Sequence, residues 1–214
     1  MTPFWAVSRS AQIVNEGSVP ERNTPLFFVS IPTRVELERS IFMNTVKDGE
    51  QLLSLLSEIG DWCQADSILR QRSATVSQWS VGQHCEHILK ADRLNLRAIE
   101  MLMRGGGEPI DLSASSHPVL VSGEIPRGVA EAPGFVMPEE EPASEFLVPL
   151  AEKVLSGWSE KLKELEGCTG TEEYMTRGIP HHEMGLLDIP TWIRFAMIHT
   201  RHHVDIAAEI QSSA

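Results

Sequence analysis

The chain has 214 residues, 42% of them hydrophobic, enough for one sizeable core and a single globular domain. A formal charge of −12 opposes both the phosphate backbone of nucleic acid and an anionic membrane surface, and no run approaches the ~20 apolar residues of a membrane span. Cys63, Cys85 and Cys168 are an odd number at wide spacing, which fits reduced thiols better than a disulfide framework. With no signal-peptide pattern at its start, the chain is expected in the cytoplasm.

Residues 1–32 carry Pro3, Pro20, Pro25 and Pro32 and no sustained periodicity, so they read as an irregular extension. FFVS at 27–30 is their one strand signal, and Met43 opens a second, more conventional beginning. The folded domain is expected over 33–214. Thr33-Arg-Val-Glu36 matches a capping box for a first helix. Phe42, Val46, Gly49, Leu53 and Leu56 then alternate in fours and threes as a packed seam, and Gly60 is placed to end it. Residues 61–78 read as a connector with a short helical stretch near 67–72. Ser80-Val-Gly-Gln83 is a second capping box, opening a helix that runs to about Arg104 and stops at Gly105, Gly106 and Gly107.

Residues 105–141 are loop by composition, and their length lets the second and third helices run parallel instead of as a hairpin. Glu139, Glu140 and Glu141 precede the third helix, where carboxylates favour the helix dipole. That helix spans 143–165, with Phe146, Leu150, Val154, Trp158 and Leu162 at every fourth position, joined by Leu147, Leu155 and Leu165, and with Gly167 and Gly170 beyond its end. A fourth helix follows Asp188, its expected N-cap, with Pro190 in the first turn where no amide partner is lost. Four long amphipathic helices with almost no strand signal give an all-α fold, a four-helix bundle.

The fourth helix carries the chemistry. In IRFAMIHTRHHVDIAAEIQ, His199 and His203 stand four apart, one above the other on a helix face. Trp192, Phe195, Ala196, Ile206 and Ile210 share that face, so both imidazoles lie on the apolar stripe, with His202 at its edge. On the second helix His87 points with Ala91, Leu94, Ala98, Met101 and Leu102 into the core, and His84 sits near the edge of the same face. A single core histidine is ordinarily hydrogen-bonded to a neighbour. Three that face one core need their nitrogens satisfied, and a metal ion on His87, His199 and His203 would do it. Three neutral imidazoles leave a fourth position for water or substrate, where a cation generates a nucleophile near neutral pH. Zinc follows from the donor set, and imidazole suits nickel and copper as well. There is no HExxH, no GxSxG and no phosphate-binding glycine loop. Glu86 and Asp92 fall off the His87 face, which argues against a carboxylate-rich di-iron centre, and Cys85 lies nearly opposite His87.

WSVGQHCEHI, with a histidine eight residues after Trp79, resembles the second helix of the DinB/YfiT-like superfamily, and HHEMGLLDIPTWIRFAMIHTRHHVDIAAEI resembles its closing segment. The resemblance covers about 35–214. It implies an up-down-down-up bundle with a long crossover between helices 2 and 3, and metal ligation by His87, His199 and His203. Members are similar to metal-dependent enzymes, some working with low-molecular-weight thiols such as bacillithiol or mycothiol. Some thiol-dependent members carry Glu where this chain has His199. The expected function is therefore a metal-dependent enzyme, with zinc or nickel activating a thiol or water for transfer or hydrolysis on a small molecule. The alternative is a non-catalytic sensor or scavenger of a metal or small ligand, and a homodimer is left open. Neither nucleic acid nor a membrane is an expected partner. Trp79, His84, His182 and His202 are the candidate pocket residues, with the mouth expected between the Ser80 end of the second helix and the turn at 182–186.

Overall fold

The structure, a computed structural model, describes residues 34–110, 117–128, 132–167 and 175–213. The strand signal at 27–30, the capping box at Thr33, the side chain of Phe42 in the first seam, Cys168 and Gly170 lie outside what is described.

Four long helices make up most of these residues: α1 (Arg34–Cys63), α3 (Val81–Met103), α5 (Ser144–Glu166) and α6 (Ile189–Ser213). Two short ones, α2 (Asp66–Leu69) and α4 (Pro118–Ser122), lie between them, with one 3-10 turn at Gly134–Val136. Helix α1 passes Gly60 and ends at Cys63. No Cβ is missed at Gly60, where nothing lies within 4 Å, and helical hydrogen bonding continues. The seam of α1 keeps Gly49 and Leu56 of its expected line and departs from it at Leu53, whose place Leu52 takes. Leu52, Leu56, Ile59 and Cys63 are buried, whereas Val46 and Leu53 are only half-buried. Gly49 has a steric role, because a Cβ there would stand 2.9 Å from Leu162 Cδ2 on α5.

The capping box of α3 forms as expected. Ser80 Oγ accepts from Gln83 N at 3.2 Å, and Gln83 Oε1 accepts from Ser80 N at 3.0 Å. Asp188 caps α6 by accepting from Thr191 N at 2.9 Å. In α5 the buried line is Leu147, Ala151, Val154 and Trp158, so the expected stripe holds at Leu147, Val154 and Trp158, whereas Phe146 is 53% exposed and Leu150 only half-buried. Met101 on α3 is likewise exposed; Ile88, Leu89, Leu96 and Ile99 fill the core instead.

Helices α1 and α3 each pack on both α5 and α6. A Cβ on Gly82 would meet Pro142, just before α5, and one on Gly157 in α5 would meet Leu96 on α3. These two contacts progress in the same sense along α3 and α5. Between α3 and α6 the order reverses, with His84 beside His203 and His87 beside His199.

A small sheet corrects the expectation of almost no strand. β1 (Glu108–Pro109), β2 (Arg177–His181) and β3 (Gly185–Leu187) pair antiparallel in the order β1-β2-β3. Strands of two to five residues, RGIPH among them, are too short and too broken by Gly and Pro to show alternation. Arg177 fastens the sheet to the end of α3 by donating from Nε to Gly106 O at 2.9 Å and from its guanidinium to Gly107 O. The hairpin β2–β3 then delivers the chain to Asp188 and the start of α6.

Candidate metal centre

His87 on α3 and His199 and His203 on α6 come together between the two helices, with one ligand-type atom from each within 4.8 Å of the others. Among the described residues this is the only such group of three. Nε2 of His87 lies 3.1 Å from Nε2 of His199. Two ligands at ~2.0–2.1 Å from one tetrahedral ion stand about 3.4 Å apart, so this pair already has nearly the separation of two ligands on one metal. The ligand-type atom of His203 lies within 4.8 Å of both.

The tautomer of His87 follows from its neighbour. Nδ1 lies 3.0 Å from Val136 O, and a carbonyl only accepts. Nδ1 therefore donates, and Nε2 turns a lone pair toward His199. Val136 is the last residue of the 3-10 turn, and the chain after it lies along α3 as a strap. Lys90 Nζ donates to Met137 O at 2.8 Å, Glu139 N donates to Glu86 Oε2 at 2.7 Å, and Gln83 Nε2 donates to Glu139 O at 3.1 Å. Glu139 thus joins the strap through its backbone as well as through a 3.9 Å pairing of its carboxylate with Lys90 Nζ, and it stands several residues ahead of α5, whose first turn carries Glu145 instead.

His84 is fully inside the protein, 2% exposed, and not at an edge. Its Nδ1 lies 3.0 Å from Nδ1 of His203, and its Nε2 lies 3.0 Å from Ser77 Oγ. Trp79 packs over the cluster, with its ring centroid 5.1 Å from His87, 5.3 Å from His84 and 6.1 Å from His203, the last pair nearly parallel at 18°. Behind His199 stands Phe195, 5.5 Å away, and His181 meets the other side of Phe195 at 4.5 Å. Nδ1 of His199 is buried with no hydrogen-bond partner. His202 is half-buried against His203 at 5.0 Å. His182 sits in the turn between β2 and β3, exposed, its ring on His181 at 4.5 Å. Of the four candidate pocket residues, Trp79, His84 and His202 touch the cluster directly and His182 does not.

Burial sets the charge state of these rings. Desolvation, then the repulsion of neighbouring histidines, drives His199 and His203 well below the usual histidine value. Desolvation lowers His87 as well, against the pull of the Val136 carbonyl, and brings His84 to about 4. All four are neutral at pH 7, the form in which imidazole binds metal. His87 is buried, while His199 and His203 keep partial contact with solvent.

Two carboxylates that a helical wheel places off the His87 face are buried nonetheless. Asp92 is fully buried, accepting from Thr200 Oγ1 at 2.8 Å and from Asn95 Nδ2 at 3.0 Å. Thr200 follows His199, so this contact ties α3 to α6 one residue from a ligand. Desolvation raises Asp92 to about 7 despite both hydrogen bonds. Glu86, also fully buried, pairs with Lys90 Nζ at 2.8 Å and holds the strap. Cys85 is buried beside Cys63, away from the histidines, as its place opposite His87 implied.

The described chain is thus a mainly helical protein with a small three-stranded sheet and a three-histidine cluster able to hold a metal ion. No helix among the described residues is long and apolar enough to cross a membrane. No family model, curated protein or solved structure matches the chain.

Proposed function

We propose that this chain is a DinB/YfiT-like metal-dependent enzyme, holding one divalent transition metal, zinc or nickel, on His87, His199 and His203. The observation that carries the reading is the bare Nε2 of His87, turned by the Val136 carbonyl onto His199 Nε2 at 3.1 Å with His203 alongside. Without a metal, only one of those facing nitrogens can carry a hydrogen for the other. A core does not gather three neutral imidazoles for packing alone.

Support for the family likeness is local. It consists of WSVGQHCEHI with its capping box, the closing histidine segment, and the parallel progress of contacts along α3 and α5 that an up-down-down-up course requires. The substrate is a small molecule, because the approach to the cluster lies between side chains of two helices and Trp79. A divalent cation there supplies Lewis acidity that brings the pKa of a bound water or thiol toward neutrality. The protein's part is to keep its rings neutral and to fix the His87 tautomer. A three-imidazole set leaves a fourth position free for water or substrate, which favours catalysis over closed storage of a metal.

The test is spectroscopic. Protein loaded with cobalt or nickel is titrated with bacillithiol, mycothiol or glutathione. A thiolate-to-metal charge-transfer band that is absent from His87→Ala is expected. A thiol that binds equally well to metal-free protein contradicts thiol activation at this centre.

A further inference from the structure

We infer that His84 is a positioning residue of the metal centre. It accepts the Nδ1 hydrogen of His203, passes its own Nε2 hydrogen to Ser77, and so keeps the Nε2 lone pair of His203 turned toward the metal. This rests on the three-histidine reading and deepens it.

Counting hydrogens fixes the direction of the relay. Nδ1 of His203 faces Nδ1 of His84 at 3.0 Å, so Nε2 is the nitrogen left to serve as ligand. A neutral imidazole whose Nε2 is bare carries its hydrogen on Nδ1 and donates it. His84 Nδ1 must then be the acceptor, which places the His84 hydrogen on Nε2, facing Ser77 Oγ at 3.0 Å. Ser77 Oγ already accepts from Trp79 N at 3.1 Å, and a hydroxyl oxygen has two lone pairs, so it takes both. Run the other way, from Ser77 to His84 to His203, the same contacts would put a hydrogen on Nε2 of His203 and disable it as a ligand.

The three ligands are then anchored unequally. The Val136 carbonyl orients His87, a side-chain relay orients His203, and nothing hydrogen-bonds to Nδ1 of His199. Burial supports the role: His84 is 2% exposed and both of its nitrogens are used, which packing alone does not require. Trp79 fixes the ring from the side. Partners of this kind are worth about 10–100-fold in metal affinity.

Zinc and nickel affinities are measured by chelator competition for the parent, His84→Leu, His84→Asn and Ser77→Ala, together with 15N-histidine spectra of the zinc-loaded parent. The expected result is a roughly 10–100-fold loss in His84→Leu. Most of it returns in His84→Asn, whose carbonyl oxygen replaces the Nδ1 acceptor, and Ser77→Ala loses less. The spectra should show His203 bearing hydrogen at Nδ1 and metal at Nε2. If His84→Leu does not fold, Ser77→Ala and the spectra decide. Parent-like affinity in both His84→Leu and Ser77→Ala overturns the inference and leaves the centre standing. So does metal on Nδ1 of His203, or a fourth imidazole ligand that disappears in His84→Asn. A parent that binds no metal overturns the centre itself.

Discussion

Asp92 and the histidines pull stability in opposite directions with pH. Asp92 has a folded pKa of about 7 against an ordinary carboxyl value of 3.8. The native state therefore binds its proton more tightly, and the stability this confers is complete below about 4 and lost as pH rises through about 7. A shift of that size corresponds to something on the order of 4 kcal/mol. Asp92→Asn removes the effect while keeping polar contact with Thr200. Urea unfolding from pH 5 to 8 should show the variant gaining stability over the parent as pH rises; a pH-independent difference would refute the buried acid. The histidines behave conversely. Their folded pKa values are lowered, so the stability they confer is present above 6.5 and drains away as pH falls toward the folded values. The same shifts correct the simplest expectation for metal binding. Unperturbed imidazoles would lose metal as pH falls through about 6.5, whereas these rings should hold zinc at nearly constant affinity through that range and release it lower. Affinity that already falls between pH 8 and 7 would contradict the burial argument.

At the scale of elements, the strap from Val136 to Glu139 is what sequence reading could not supply. It works through main-chain groups, and every residue carries a carbonyl and nearly every one an amide, so nothing in the residue types of 134–139 marks it. Its effect on α3 explains the misplacement of Glu86 and Asp92. A helical wheel presumes one buried face, yet residues 84–89 are all buried because strap, α5 and α6 cover α3 on several sides. The long helices and the caps at Ser80 and Asp188 are legible, since periodicity and capping chemistry are local. The local departures, at Leu53 in α1 and Phe146 in α5, arise where two neighbouring residues are both apolar. Leu52-Leu53 in α1 and Phe146-Leu147 in α5 are such pairs, and only packing chooses between their members. The strap also gives a prediction. Glu86→Ala leaves the Glu139 amide and the Lys90 ammonium without their buried partner, which should cost about 1–3 kcal/mol of stability. Zinc affinity should fall several-fold, although no ligand is touched, because Val136 O no longer holds His87 as firmly. A stability loss with unchanged affinity would show that the strap does not orient the ring.

For the whole molecule, the ligand trio is readable because i and i+4 on one helix and a core-facing position on another constrain side-chain direction strongly. Of what surrounds the trio, Trp79 and His84 are legible as neighbours of the cluster, whereas the Val136 carbonyl on His87 and Ser77 behind His84 are not, because no residue type or periodicity marks a main-chain carbonyl or a loop hydroxyl as a partner of a buried ring. Everything proposed for the centre depends on α3 and α6 bringing their histidines to one ion. The decisive measurement is metal content, by elemental analysis of protein purified without a histidine tag. It covers the parent, His87→Ala, His199→Ala, His203→Ala, the His199→Ala/His203→Ala double variant, and His181→Ala as control. About one zinc or nickel is expected per parent chain and per His181→Ala chain, with a strong loss in each ligand variant and none bound in the double variant. Full occupancy in the double variant, or a metal-free parent after reconstitution, would contradict the three-histidine centre.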